Sequence, residues 1–367
     1  MKNLYVFFCF FAIVGCKTSK LKNNKNLDFY VGTFTDKESK GIYKYSLTNT
    51  GKLTSLGLVA AVKNPNFITK SKDNKTLFAV GETTKEGKGV IRSYNIKESS
   101  LEFINSAETG GAVPCYVTAN HQNYILTANY VGGNVGLLSF KDSGQLNPLH
   151  YVQQHTGKGS TNRQKKPHAH SVWFHPTKNE VISANLGTNE LWFSKIDKAQ
   201  NKLMYTHQKK LKMVVGAGPR HLVFHPNNKW FYVLNELNNT VSLIKEKNNM
   251  YYVDFSIRTL PKDFKAFSKA ADIHISKDGK FLYASNRGHE SIVIYNVNSK
   301  SGKLNVIDYQ NVLGEHPRNF SLSPDNKYLL VANQDTNTII SFKRNTANGK
   351  LTFTDKINAP TPVCILF

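Results

Sequence analysis

Gly218-Pro219-Arg220-His221-Leu222-Val223-Phe224-His225-Pro226 passes through Asn227-Asn228-Lys229 into Trp230-Phe231-Tyr232-Val233-Leu234-Asn235-Glu236. An apolar run that opens on an arginine, a Pro/Asn turn and a second apolar run predict two antiparallel strands. Counted back from each turn, Pro65, Pro114, Pro219, Pro317 and Pro362 stand in one slot, with Ala169 and Ala270 filling it in two further copies. Counted forward, the second strand ends at Gly32, Gly81, Asn129, Asn185, Asn235, Asn286 and Asn333. The period is about 50 residues, the size of a four-stranded propeller blade.

Each copy is followed by a short alternating strand, a Gly/Asn/Ser turn and another strand. Examples are Gly41–Tyr45 with Gly51-Lys52-Leu53, Val135–Phe140 with Gly144-Gln145-Leu146, and Ile292–Val297 with Gly302-Lys303-Leu304. No stretch sustains a 3.6-residue apolar period. The two ends are complementary. Phe29-Tyr30-Val31-Gly32-Thr33 is a second strand with no first strand before it, and Pro362–Phe367 is a first strand with no second after it. A ring whose last blade is built from both termini leaves no open sheet edge. The expected fold is therefore all-β, a seven-bladed β-propeller over 28–367. The insertion His155–Lys166 is expected to be a surface loop near one rim.

Ahead of the propeller, Met1-Lys2-Asn3, the apolar run Leu4–Val14 and Gly15-Cys16 have the layout of a bacterial export signal over 1–16. Ile13-Val14-Gly15-Cys16 resembles a lipobox, with Cys16 the lipidated residue, and 17–27 is expected to be a polar tether. The chain is thus expected at the cell envelope, facing the periplasm or the cell surface, and touching membrane only through that anchor. The formal charge of +23 comes almost wholly from lysines scattered over turns and strand ends. Without clustered arginines this argues against a nucleic-acid partner. Cys115 and Cys364 lie in first strands of non-neighbouring repeats, too far apart for a disulfide, and read as buried thiols without a histidine partner.

In such a blade the start of the first strand and the end of the second share one rim. Two rings of side chains then surround one mouth. The first is Asn66, Cys115, His170, Arg220, Ala271, Arg318 and Val363; the second is Thr33, Glu82, Tyr130, Leu186, Glu236, Arg287 and Gln334. Where repetition predicts sameness, these slots diverge into charged and polar groups, which marks a site. Arg220, Arg287 and Arg318 are expected to converge with Glu236 and His170. His168, two residues from His170, is expected to face the same way. Asp272 and His274 form a second pair, and His221 and Asn319 occupy the Asp272 slot in their repeats. Arginine forks suit a carboxylate, a phosphate or a developing oxyanion, and a glutamate or histidine beside them can activate water.

Other polar residues have plainer readings. Two histidines at strand spacing lack a third ligand, so no metal is assigned. His175 and His225 are turn residues. The asparagines at 129, 185, 235, 286 and 333 close backbone hydrogen bonds, and Tyr130 begins a turn through Gly132-Gly133. No Gly-x-Ser-x-Gly elbow is present, which favours activated water over a covalent intermediate.

The motifs Tyr30-Val31-Gly32-Thr33-Phe34-Thr35, Pro167-His168-Ala169-His170, Gly216-Ala217-Gly218-Pro219-Arg220-His221, Asn235-Glu236-Leu237, Ser285-Asn286-Arg287-Gly288 and His316-Pro317-Arg318-Asn319-Phe320 resemble the lactonase propeller family. That family is typified by bacterial 6-phosphogluconolactonase of the seven-bladed type and is also similar to fungal carboxy-muconate lactonising enzymes. The resemblance covers Leu27–Phe367. It implies hydrolysis of a sugar lactone with no metal or organic cofactor, at a site built on the histidine of Pro-His-Ala-His, Arg220, Glu236 and Arg287. Asp272 departs from the family's usual glutamate. An export signal also sits uneasily with a cytoplasmic phosphorylated substrate. A propeller that only binds a sugar acid or a protein, and an enzyme lactonising a muconate-type diacid, are the alternatives.

Overall fold

A computed structural model describes residues 26–367 together with Met1, Lys2 and Leu4; Cys16, the remainder of the export segment and most of the tether lie outside the described residues. Among the described residues there are seven four-stranded antiparallel sheets. One of them runs in the order Pro362–Leu366, Leu27–Thr33, Gly41–Leu47, Leu53–Ala61. Tyr30 pairs with Leu366 and Val31 with Ile365, so the two ends of the propeller close each other as the sequence predicts. Among the described residues the single helical element is a short 3-10 turn at Asn162–Gln164.

The repeated turn has a local cause. His225 N–H bonds to Trp230 O, and the tight loop between them needs one left-handed residue. Asn74, Asn123, Asn228 and Asn326 supply it with φ of 59°, 61°, 57° and 59°. His175 and His225 are turn residues, as expected: Nδ1 of each accepts a backbone N–H two residues on, from Thr177 and Asn227.

The core lies between blades. Trp230–Asn235 is buried at every position because neighbours cover both of its faces. Tyr232 and Leu234 pack with Leu282 and Tyr295 of the next blade. Each such side chain contributes about 1.5–3 kcal/mol of burial free energy. Outer strands bury far less: in Leu351–Asn358 only Leu351 is buried. One strand differs from expectation. Gly144-Gln145-Leu146 does not form the outer strand of its blade: Leu146 makes a lone bridge to Phe140, and the outer strand is Tyr151–Gln154. A lone Gly-x-Leu phrase marks a turn but cannot specify where pairing resumes.

Removing residues 362–367 would expose the edge of Leu27–Thr33 and the apolar cluster around Phe29, Tyr45 and Ile365. We expect loss of the cooperative thermal transition and aggregation by size-exclusion chromatography. A monomer with unchanged Tm would show that closure contributes little.

Candidate active site

The mouth residues owe their positions to a repeated irregularity. Pro219 pairs with Asn235 and His221 with Leu234, so Arg220 is skipped by the ladder. The same bulge skips Cys115, His170 and Arg318, and Ala271 with Asp272 in a fifth blade. A bulge re-aims the extra residue's side chain, and it does so here at one end of the channel. Glu236 enters from the end of a second strand, where its N–H bonds to Gly218 O at 2.8 Å. Gly218 has φ 64° and lies against Leu237, where a Cβ would approach within 2.5 Å, so the turn needs glycine.

Three of the expected residues, Arg287, Arg220 and His170, meet around Glu236, which is 3% exposed. Its Oε2 lies 3.1 Å from Arg287, 3.7 Å from Arg220 and 3.8 Å from His170 Nε2. Its Oε1 lies 3.4 Å from Arg163. Backbone carbonyls aim the arginines: Arg220 Nε donates to Ala271 O at 2.5 Å and Arg287 Nη2 to Ala270 O at 2.9 Å. Arg220 Nη1 also donates to the His170 ring. Arg318 stands 5.2 Å from the centre of the Phe34 ring and has no ion pair among the described residues.

Burial alone would raise the Glu236 carboxyl, but Arg287, Arg220 and Arg163 hold it at about 2. Burial, then Arg220, His221 and Arg318, keeps His170 well below the usual imidazole range and hence neutral. Burial, with Arg287 beside them, lowers Arg220 to about 9 and Arg318 to about 10. Both remain cationic at neutral pH. Three channel arginines, at 220, 287 and 318, thus face one carboxylate, and the surplus positive charge suits an anionic ligand or an oxyanion.

A second cluster adjoins the first. Asp272, 4% exposed, accepts from His221 Nδ1 at 2.8 Å, His274 Nε2 at 3.1 Å and Asn319 Nδ2 at 2.5 Å. The backbone N–H groups of Ile273 and Phe320 donate to it as well. Burial opposes its charge, yet His274 and His221 hold it far below the ordinary carboxylate range. The shared slot read from sequence is therefore a physical network.

Two expectations fail. His168 and His170 do not face one way, because the bulge at His170 breaks strand alternation. His170 points at Arg220 and Glu236, whereas His168 stacks on Tyr130 at 4.4 Å and its Nδ1 donates to Tyr130 O at 2.8 Å. Cys115 does have a histidine beside it: its Sγ is 3.9 Å from His170 Nδ1. Burial pushes that thiol up to about 12, so it stays protonated and is no nucleophile at neutral pH. Gln334 sits at the rim, its Nε2 donating to Asp335 at 3.0 Å. Four of the five asparagines hold backbone as expected: Asn129, Asn286 and Asn333 donate to Thr109 O, Thr259 O and Val312 O, and Asn185 Oδ1 accepts from the His168 and Thr188 N–H groups. The Asn235 side chain instead donates to the Thr240 and Ser242 hydroxyls.

Arg163 is a neighbour of Glu236 that sequence reasoning passed over, and Tyr130, placed in the second ring but read as a turn residue, adjoins it. Arg163 lies on the 3-10 turn of the insertion, and its Nη2 donates to Tyr130 Oη at 2.8 Å while reaching Glu236. Buried Gln164 pins that turn by donating to Leu186 O at 2.8 Å. An arginine inside the one irregular loop, in a chain whose basic residues are mostly lysine, was the available signal. Because Arg163 is exposed, we expect Arg163→Ala to raise KM about three- to tenfold with kcat within twofold. Unchanged KM in steady-state kinetics would place Arg163 outside substrate contact.

A family model described as "Lactonase, 7-bladed beta-propeller" matches residues 28–367. The 6-phosphogluconolactonase of Bacillus subtilis is 36% identical over 299 residues, covering 79% of this chain and 83% of its own. A 6-phosphogluconolactonase of Formosa agariphila is 33% identical over 309 residues, covering 80% and 85%. Among solved structures, the periplasmic gluconolactonase of Pseudomonas aeruginosa aligns with a TM-score of 0.88 at 28% identity, over 93% of this chain and 98% of its own. The chain therefore belongs to the lactonase family of seven-bladed β-propellers.

Proposed function

We propose that this protein hydrolyses a sugar lactone at the mouth formed by His170, Arg220, Glu236, Arg287 and Arg318. The observation that carries the proposal is the ionised carboxylate of Glu236 set among Arg287, Arg220 and Arg163. Hydrolysis of an ester places negative charge on the carbonyl oxygen in the transition state. Preorganised guanidinium donors in a buried site stabilise that charge by about 3–4 kcal/mol per lost donor. Arg220 and Arg287 take this role, since backbone carbonyls of one neighbouring strand aim both. Arg318, without a carboxylate partner, orients an anionic or hydroxyl group of the substrate.

The attacking water needs a base. Glu236, ionised down to about pH 2, is a weak base and serves chiefly to fix the arginines. The mouth histidine His170 is neutral, and a neutral imidazole carries a ring lone pair that can accept a proton.

The relatives named above are described with two substrates, one phosphorylated and one not. The export segment read over 1–16, with lipidation at Cys16, fits an envelope location and an unphosphorylated lactone. The test is side-by-side opening of δ-gluconolactone and 6-phosphogluconolactone with spontaneous opening subtracted. Preference for the neutral lactone supports an envelope enzyme. Preference for the phosphorylated one assigns Arg318 to the phosphate. Tight aldonate binding without turnover of either would replace hydrolysis with a binding role.

A further inference from the structure

A neutral imidazole has one lone pair. In His170 that lone pair is committed, because Arg220, which can only donate, points Nη1 at its ring nitrogens. His221 is different. Ionised Asp272 can only accept, so the proton of His221 lies on Nδ1, 2.8 Å from Asp272 Oδ1, and the lone pair lies on Nε2. His221 is 3% exposed and its Nε2 is buried with no hydrogen-bond partner among the described residues. A buried acceptor left so costs about 1–3 kcal/mol, and among the buried unpartnered side-chain atoms of the described residues this is the one imidazole nitrogen.

The surroundings put this ring beside the mouth. The His221 ring is 5.5 Å from the His170 ring, set edge to face, and 5.5 Å from Tyr116, with Phe67 at 6.1 Å. Its own strand contributes Arg220, the next blade Asp272 and His274, and the preceding blades His170 and Tyr116. These are the titratable and charged groups around it. The apolar rings limit solvation of Nε2, while Asp272 is placed to offset positive charge if the ring accepts a proton.

We propose that His221, oriented by Asp272, is the general base of lactone opening. Its Nε2 removes a proton from the attacking water as the water oxygen bonds to the carbonyl carbon. The imidazolium then returns that proton to the ring oxygen as the carbon–oxygen bond breaks, giving the hydroxy acid, which ionises in solvent. No other reactant is needed. His274, Asn319 and the N–H of Phe320 hold the Asp272 carboxylate and are positioning groups. The inference rests on lactone hydrolysis at this mouth and adds the proton carrier.

The experiment is steady-state kinetics of the full chain as wild type, His221→Gln, Asp272→Asn and Asp272→Glu, using δ-gluconolactone and 6-phosphogluconolactone, with thermal unfolding of each variant. A lost general base lowers kcat about 10²–10⁴-fold. We expect that loss in His221→Gln with KM within about threefold. Asp272→Asn, which keeps the shape but not the charge, should lose about tenfold or more, and Asp272→Glu should recover most of it. Burial holds His221 at about 4, so the wild-type kcat/KM should rise with pH through an acid limb that His221→Gln lacks. If the wild type turns over and folded His221→Gln or Asp272→Asn keeps its kcat within threefold, the inference is wrong and the lactonase reading stands. If the wild type opens neither lactone, both fall.

Discussion

Arg220→Ala is expected to lower kcat/KM for the preferred lactone about a thousandfold. The side chain is 2% exposed and ties three parts of the mouth together: Ala271 O at 2.5 Å, the His170 ring and Glu236 at 3.7 Å. Removing it takes away one oxyanion donor and frees His170 to turn. It also leaves Glu236 with Arg287 and Arg163 alone. Losing one member of a buried ionic cluster costs about 3–5 kcal/mol of stability, so activity must be measured well below the variant's Tm. Arg220→Lys tests geometry separately. A lysine keeps the charge but cannot reach a backbone carbonyl and a carboxylate with a rigid fork, and at least a hundredfold loss is expected there. Full turnover by folded Arg220→Ala would remove this arginine from the chemistry.

The second large effect is on acid stability. In the folded protein Glu236 titrates at about 2, against an ordinary value of 4.5. A depressed carboxyl stabilises the fold above its unfolded value and loses that contribution as pH falls through the folded value. The contribution is about 3 kcal/mol, taking 1.36 kcal/mol per pKa unit. It should be present at pH 7 and fade between about pH 5 and pH 2. Asp272, depressed in the same sense, adds a loss of the same sign at still lower pH. Glu236→Gln should be less stable than wild type by about 3–5 kcal/mol at pH 7, since its arginines lose their counter-charge. It should also show a shallower fall from pH 5 to 3. Urea denaturation at stepped pH measures both. Equal slopes in wild type and Glu236→Gln would mean that the arginines do not hold this carboxyl down.

Much of this was legible in the chain itself. The proline slot, the turn asparagine and the strand-ending asparagine each answer a local backbone demand, so they recur with the blade and disclose it. Divergence at the slots beside them exposed Arg220, Glu236 and Arg287, because repetition sets an expectation that function breaks. The bulges were not legible. Regular alternation put His168 and His170 on one face, whereas the skipped residue at His170 turns them apart. The role of Arg163 was hidden for another reason: it stands in an insertion with no repeat to compare against, and its contact with Glu236 spans 73 residues of sequence. The Asp272 network was half visible, since its members share a slot, but only the folded ring shows that His221 spends one nitrogen on Asp272 and keeps the other unpaired.

The most direct test is the rate of δ-lactone opening by the full chain above the spontaneous rate, with folded Arg220→Ala and Glu236→Gln measured beside it. The account predicts clear acceleration by the wild type and at least hundredfold loss in both variants. A wild type that fails to accelerate opening, or variants as fast as wild type, would contradict it.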